Sequence, residues 1–230
     1  MGEIKLIEIK EEILTDNNRA AEELRELLKQ NKTFLLNLMS SPGAGKTSLI
    51  MNTIRALKDR FRIGVLEADI DSVVDAEKVA SLGIPTVQIH TGGFCHLDAL
   101  MVRKGLDAFN LPDLDLVIIE NVGNLVCPAE FDTGAFRNAM ILSVPEGDDK
   151  PLKYPLMFSV CEVLIVNKID YLGLSDFNMS ALYERVHKLN ADITIIETSC
   201  KTGEGIDSWV SWMDVRMKNF LYGKEQGKER

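Results

Sequence analysis

The chain has 230 residues, 46% of them hydrophobic and 27% charged, with 26 Lys and Arg against 35 Asp and Glu for a formal net charge of −9. That profile describes a globular protein with one sizeable core. It argues against a nucleic-acid binder, which needs clustered cations to meet phosphates. No apolar run approaches the ~20 residues that cross a bilayer. The opening stretch MGEIKLIEIKEEILTD is too charged for a secretory signal, and Leu6 stands where a myristoylated chain would carry Ser or Thr after Gly2. Cys95, Cys127, Cys161 and Cys200 lie far apart and are expected as reduced thiols in a cytoplasmic protein.

The periodicity predicts a helix over 16–31, with Asp16 or Asn17 as its cap and Ala21, Leu24, Leu27 and Leu28 as its apolar stripe. An apolar run at 33–39 leads into SSPGAGKT (40–47), and helical spacing follows over 47–61. A strand at 62–68, a short helix at 75–83, a strand at 85–90 and a helix at 97–110 come next. Runs rich in Val and Ile at 114–120, 138–144 and 161–167 suit strands buried on both faces. A helix over 174–190 with Ser175 as cap, a strand at 191–199 and a closing helix over 205–222 complete the chain before a frayed tail. Strands alternating with helices predict a mostly parallel sheet flanked by helices, in one domain.

SSPGAGKT resembles a phosphate-binding loop with Ser40 in place of its first glycine. A loop from a buried strand to a helix start gathers backbone N–H groups at the positive end of the helix dipole. Gly43 and Gly45 let backbone approach a phosphate. Lys46 reaches the outer phosphates and the Thr47 hydroxyl is placed for magnesium; Ala44 and Ser48 belong to the same nucleotide-binding stretch. A bare strand–turn–helix corner is the competing reading, and it gives no reason for Lys46 followed by Thr47.

The stretch NKID (167–170) follows another buried run. A carboxylate at Asp170 can accept from both N1–H and the exocyclic amine of guanine, a pair of donors adenine lacks. Asn167 sits at the matching spacing, and Lys168 can lay its methylenes along the base. TSCKTGEG (198–205) places Ser199, Cys200 and Lys201 where GTPases carry a supporting Ser-Ala-Lys loop. Three motifs in this order, each after a predicted strand, identify a GTPase. ENVG (120–123) stands where many GTPases carry D-x-x-G, so Glu120 is a candidate to hold magnesium through water and Gly123 to sense the outer phosphate. Asp69, Asp71 and Asp75 cluster after a strand and repel unless a cation joins them. Asp69 and Asp75 join Thr47 and Glu120 as magnesium candidates, with Asp71 equally readable as a solvated turn. Lys46, Asp75 and Glu120 form the expected catalytic set. No glutamine or arginine stands out to speed hydrolysis, so a slow intrinsic rate is expected.

Cys95 and His96 are adjacent, and Cys127 follows soon after ENVG. Thiolate and imidazole suit nickel or zinc, yet one chain offers three ligands where a closed tetrahedral site needs four. Two readings stay open from these residues: half of a cluster shared across a two-fold axis, or two cysteines and an incidental histidine in a core. Cys161 and Cys200 read as core or base-loop residues, and His90 and His187 as structural or exposed.

The order SSPGAGKT, EADIDSVVDAEK, TGGFCHLDA, IIENVGNLVCPAEFD, EGDDKPLKYP, VNKID and TSCKTGEG resembles the HypB family over roughly residues 10 to 220. These are GTPases that assist nickel insertion during [NiFe]-hydrogenase maturation. The resemblance implies a single P-loop domain of the SIMIBI type over 32–222, preceded by an N-terminal segment and helix (1–31) packed on it and followed by a flexible tail (223–230). It implies a homodimer that binds GTP with Mg²⁺, with Cys95, His96 and Cys127 as its Ni²⁺ or Zn²⁺ ligands at the dimer interface. It also implies partnership with a HypA-type metallochaperone and the hydrogenase large subunit. Some family members carry an N-terminal cysteine motif or a histidine-rich tract that stores nickel; MGEIKLIEIK has neither, which argues against nickel storage. Ala129 follows Cys127-Pro128 where urease-accessory GTPases carry histidine, which argues against urease as client. The competing readings are a GTPase switch for another metalloenzyme without its own metal site, and a nucleotide-gated scaffold that hardly turns over.

Overall fold

The computed structural model describes residues 9–69 and 74–223, with side chains from 14 to 68 and from 75 to 223. Residues 1–8, Asp71, the Asp69 side chain and the tail beyond Gly223 lie outside that set. The strands are β1 (Phe34–Ser40), β2 (Ile63–Asp69), β3 (Thr86–His90), β4 (Leu116–Glu120), β5 (Arg137–Ser143), β6 (Val163–Asn167) and β7 (Thr194–Glu197). They form one parallel sheet in the order β3-β2-β4-β1-β5-β6-β7. The helices are α1 (Ile9–Asn31), α2 (Lys46–Leu57), α3 (Val74–Ala80), α4 (Ala99–Leu106), α5 (Cys127–Glu130), α6 (Lys150–Lys153), α7 (Pro155–Val160), α8 (Met179–Leu189) and α9 (Ile206–Tyr222).

The continuous apolar runs become the central strands because both faces of the sheet are covered. Alternate residues of β1 divide between cores. Phe34, Leu36 and Leu38 join α2 and α9 on one face. Leu35 packs with α1 and α4 on the other, and Met39 with α7 and α8. On the first face the chain's two tryptophans, Trp209 and Trp212, stack at 5.5 Å between ring centroids. The Trp209 indole N–H donates to Thr53 Oγ1 of α2 at 2.7 Å. Buried Leu24 and Leu28 hold α1 against the second face, each contributing about 1.5–3 kcal/mol by burial.

Two caps differ from the periodic reading. Asn178, not Ser175, caps α8: its Oδ1 accepts from Ala181 N at 2.9 Å. Ser175 instead follows a 3₁₀ turn over Ile169–Leu174. Asn17 is not a cap at all, because α1 begins at Ile9 and carries Asn17 mid-helix, where its side chain is buried. The short helices α5, α6 and α7 have too few turns to leave a periodic signal, and each has proline in its first two positions.

Strand order reverses beside β1, with later strands β2 to β4 on one side and β5 to β7 on the other. Ligands of open parallel sheets bind at such a switch point, beyond the carboxyl ends of the strands. The loops after β1, β4, β6 and β7 all emerge there.

Candidate nucleotide and metal sites

The phosphate-loop signature lies between the end of β1 and the start of α2. Ser40 is fully buried. Its Oγ donates to Ser41 O at 2.6 Å and accepts from Lys46 Nζ at 3.2 Å. Among the described non-glycine residues only Lys32 and Lys168 have positive φ, so the backbone at Ser40 needs no glycine. Gly43 and Gly45 do have positive φ, 73° and 109°. A Cβ at Gly45 would also fall 2.4 Å from Asn167 Nδ2.

That approach exists because the base loop braces the phosphate loop. Asn167, at the end of β6, donates from Nδ2 to Ala44 O at 2.9 Å, while its Oδ1 accepts from Cys200 N at 3.1 Å. Lys168 donates to Gly43 O at 2.7 Å from a left-handed backbone. Ser199 Oγ donates to Asp170 Oδ1 at 2.7 Å, and Lys201 Nζ stands 3.9 Å from Asp170 Oδ2. The order of phosphate loop, NKID and TSCK thus becomes one connected surface. A cleft of about 320 Å³ is lined by Gly45, Ser48, Asn167, Lys168, Asp170, Cys200 and Lys201 together with Pro145 and Tyr171. Burial raises the Cys200 thiol to about 11.

A second cleft, of about 280 Å³, lies on the other side of the phosphate loop. Gly43, Lys46, Asp75, Glu120 and Gly123 line it, with Glu67 from β2. Thr47 Oγ1 donates to Glu120 Oε1 at 2.8 Å. Glu67 stands in register with Glu120 on the adjacent strand, and both are buried. Asp75 pairs with Lys78 at 2.6 Å, and that hydrogen bond is the main cause of the raised Lys78 pKa. A hydroxyl among buried carboxylates is a donor set for a hard divalent cation. Glu67 escaped the sequence reading because it falls inside an apolar strand; its register with Glu120 was the missing signal.

The ENVG loop is built to stay close. A Cβ at Gly123 would meet Pro42 Cγ at 2.9 Å and Pro42 N at 3.0 Å. Asn121 is fully buried: its Oδ1 accepts from Val122 N at 2.8 Å and its Nδ2 donates to Asn37 Oδ1 at 3.0 Å. Asn37 Nδ2 in turn donates to Asn138 Oδ1 at 3.0 Å. This row of carboxamides runs from the end of β4 across β1 to β5, each amide meeting its partner in the interior. It was not legible from sequence, because cross-strand register places Asn37 beside Asn138.

Four residues beyond Gly123, Cys127 opens α5. Its thiol, the Cys95 thiol and a His96 ring nitrogen all lie within 4.8 Å of one another, and all three residues are half-buried. His96 stacks on Phe131 at 3.8 Å between centroids. Burial lowers the His96 pKa, against the pull of Asp98 and Glu130. A hydrogen bond with Cys95, then burial, raises the Cys127 thiol. Two sulfurs and one imidazole suit a soft or borderline ion and leave a coordination position open. Phe94 and Val126, next in sequence to Cys95 and Cys127, are exposed. Cys161 is buried in a core cluster and takes no part.

A family model described as "CobW/HypB/UreG, nucleotide-binding domain" matches residues 34–197. Hydrogenase maturation factor HypB of Escherichia coli K12 is 41% identical over 216 residues, which cover 94% of this chain and 74% of that protein. Hydrogenase/urease maturation factor HypB of Helicobacter hepaticus is 43% identical over 206 residues, 88% of this chain and 84% of that protein. The crystal structure of HypB from Helicobacter pylori in complex with nickel superposes with a TM-score of 0.85 at 35% identity, covering 94% of this chain and 99% of that one. With the family signature intact from phosphate loop to last strand and such identity along nearly the whole chain, this protein belongs to the HypB family.

Proposed function

We propose that the chain is a GTP-hydrolysing metallochaperone for nickel insertion into [NiFe]-hydrogenase, with a nucleotide-gated Cys95–His96–Cys127 site at a homodimer interface. One observation carries the reading. A segment of eight residues, 120 to 127, touches the phosphate loop through Glu120 and Gly123 and ends on a ligand of the sulfur site. Two sites joined by so short a piece of chain have a direct route for coupling.

In this reading the cleft lined by Asp170 holds guanine, and its carboxylate, kept in place by Ser199, accepts from the base. Gly43 to Ser48 surround the phosphates, with Lys46 on the outer ones. Thr47, Asp69, Asp75 and Glu120 hold magnesium, which neutralises phosphate charge when bound. Among the described residues no glutamine or arginine lines the second cleft, in keeping with slow turnover and a switch-like role. Exposed Phe94 and Val126 flank the triad as part of an apolar contact between two copies, so that two half-sites complete the ligand count. A HypA-type metallochaperone and the hydrogenase large subunit are the partners, in the cytoplasm. The Helicobacter hepaticus relative is named for urease as well as hydrogenase, so Ala129 separates this chain from the urease-accessory GTPases without excluding urease as a client.

Sedimentation of the protein titrated with Ni²⁺ or Zn²⁺, once with GDP and once with a non-hydrolysable GTP analogue, tests this. One ion per dimer, held differently in the two nucleotide states and lost in Cys127→Ala, is expected. Undiminished stoichiometric binding by Cys127→Ala defeats the metal assignment, and equal binding in both states defeats the gating.

A further inference from the structure

The sulfur site is assembled from two loops, one carrying Cys95 and His96 and the other Cys127. A third element joins them. Asn17 of α1 is 6% exposed. Its Oδ1 accepts from Ala99 N at 2.9 Å, three residues after His96, and its Nδ2 donates to Asp132 O at 2.9 Å, five residues after Cys127. Both bonds go to main chain, so the carboxamide fixes the separation of the two loops rather than the rotamer of one side chain. The clamp is itself held: Arg25, two turns along α1, makes a paired ion contact with the Asp132 carboxylate and donates to Ala135 O at 3.2 Å. Next to Asp132, Phe131 stacks on His96.

We infer that Asn17 is a positioning residue for the Cys95–His96–Cys127 site, setting the distance between its two ligand-bearing loops from a helix outside the matched nucleotide-binding region (34–197). The inference rests on reading that triad as a metal site. A mid-helix asparagine is otherwise unfavourable, since it competes with the helix for its own backbone. Here it answers an amide and a carbonyl that would stay unpaired if it were apolar. Residues that hold a metal's ligands in place change affinity by about 10- to 100-fold when lost.

The test is Ni²⁺ titration by calorimetry, with the nickel–thiolate charge-transfer absorption as a second readout, on wild type, Cys127→Ala, Asn17→Leu and Met217→Ala. Met217 of α9 lies in the cluster on the opposite face of the sheet, which takes in no residue of either loop, so its truncation lowers stability without touching them. Asn17→Leu is expected to weaken Ni²⁺ binding about tenfold or more and to alter the absorption band, with GDP affinity unchanged within about twofold. Met217→Ala should melt earlier and bind Ni²⁺ like wild type. If Asn17→Leu gives no cooperative melt, Asn17→Ala, which removes both bonds without adding bulk, takes its place. Wild-type affinity and spectrum in a folded Asn17 variant overturn the inference while leaving the metal site standing. A wild type that binds no Ni²⁺, or binds it equally as Cys127→Ala, instead overturns the metal site itself.

Discussion

Replacing Asn167 by alanine separates a residue that only contacts nucleotide from one that builds the pocket. Asn167 is 2% exposed, and its carboxamide satisfies the Ala44 carbonyl at 2.9 Å and the Cys200 amide at 3.1 Å. Alanine leaves both without a protein partner. Each loss in the interior costs about 1–1.5 kcal/mol, so the folded protein loses about 2–3 kcal/mol before any nucleotide is added. For a domain of this size 1 kcal/mol shifts the melting midpoint by about 2–4 °C, which gives a fall of about 4–12 °C. The assay is calorimetric melting of nucleotide-free protein, followed by GDP titration, where at least a tenfold loss is expected because the phosphate loop is no longer held against the base loop. A nucleotide-free midpoint within about 1 °C of wild type, combined with lost GDP affinity, refutes the bracing argument and leaves Asn167 as a ligand contact alone.

Gly123→Ala pushes a methyl into the Pro42 ring and backbone, an overpacking of about 1–3 kcal/mol; it should level Ni²⁺ affinity between GDP and GTP-analogue states by equilibrium dialysis, and an unchanged difference counts against Gly123 as the link. Asp170→Asn should move preference from GTP to xanthosine triphosphate in competition binding, and a retained guanine preference removes Asp170 from base recognition. Asp115 is held below the usual carboxylate range chiefly by hydrogen bonds from Arg62, which join β2 to the start of β4. A depressed folded pKa gives stability that is present above the unfolded value near 3.9 and lost as pH falls through the lower folded value. Asp115→Asn should therefore melt earlier than wild type at pH 7, with the gap closing below about pH 4; a gap that persists in acid points to packing instead.

The sheet was legible because its central strands carry apolar residues on both faces, and β4, β5 and β6 fall within two residues of the apolar runs. Helix starts were less so. Spacing alone points to Ser175 as the cap of α8, whereas in the structure Asn178 faces Ala181 N. In the same way Asn17 carries a capping residue's chemistry, but its partners lie 82 and 115 residues away in the chain. The linear motifs located the phosphate loop, NKID, TSCK and the Cys–His pair, because each is a local backbone arrangement with fixed chemistry. What they could not supply is cross-strand neighbourhood: Glu67 beside Glu120, Asn37 beside Asn121 and Asn138, and the tie from Lys168 to Gly43.

The stacked indoles behind α2 have a practical consequence. The chain contains two tryptophans, and both lie in one pair whose inner member is hydrogen-bonded to the helix that begins at Lys46. Tryptophan emission from this protein therefore comes from a single place, and any sliding of that helix when phosphates arrive will shift or quench it without a dye.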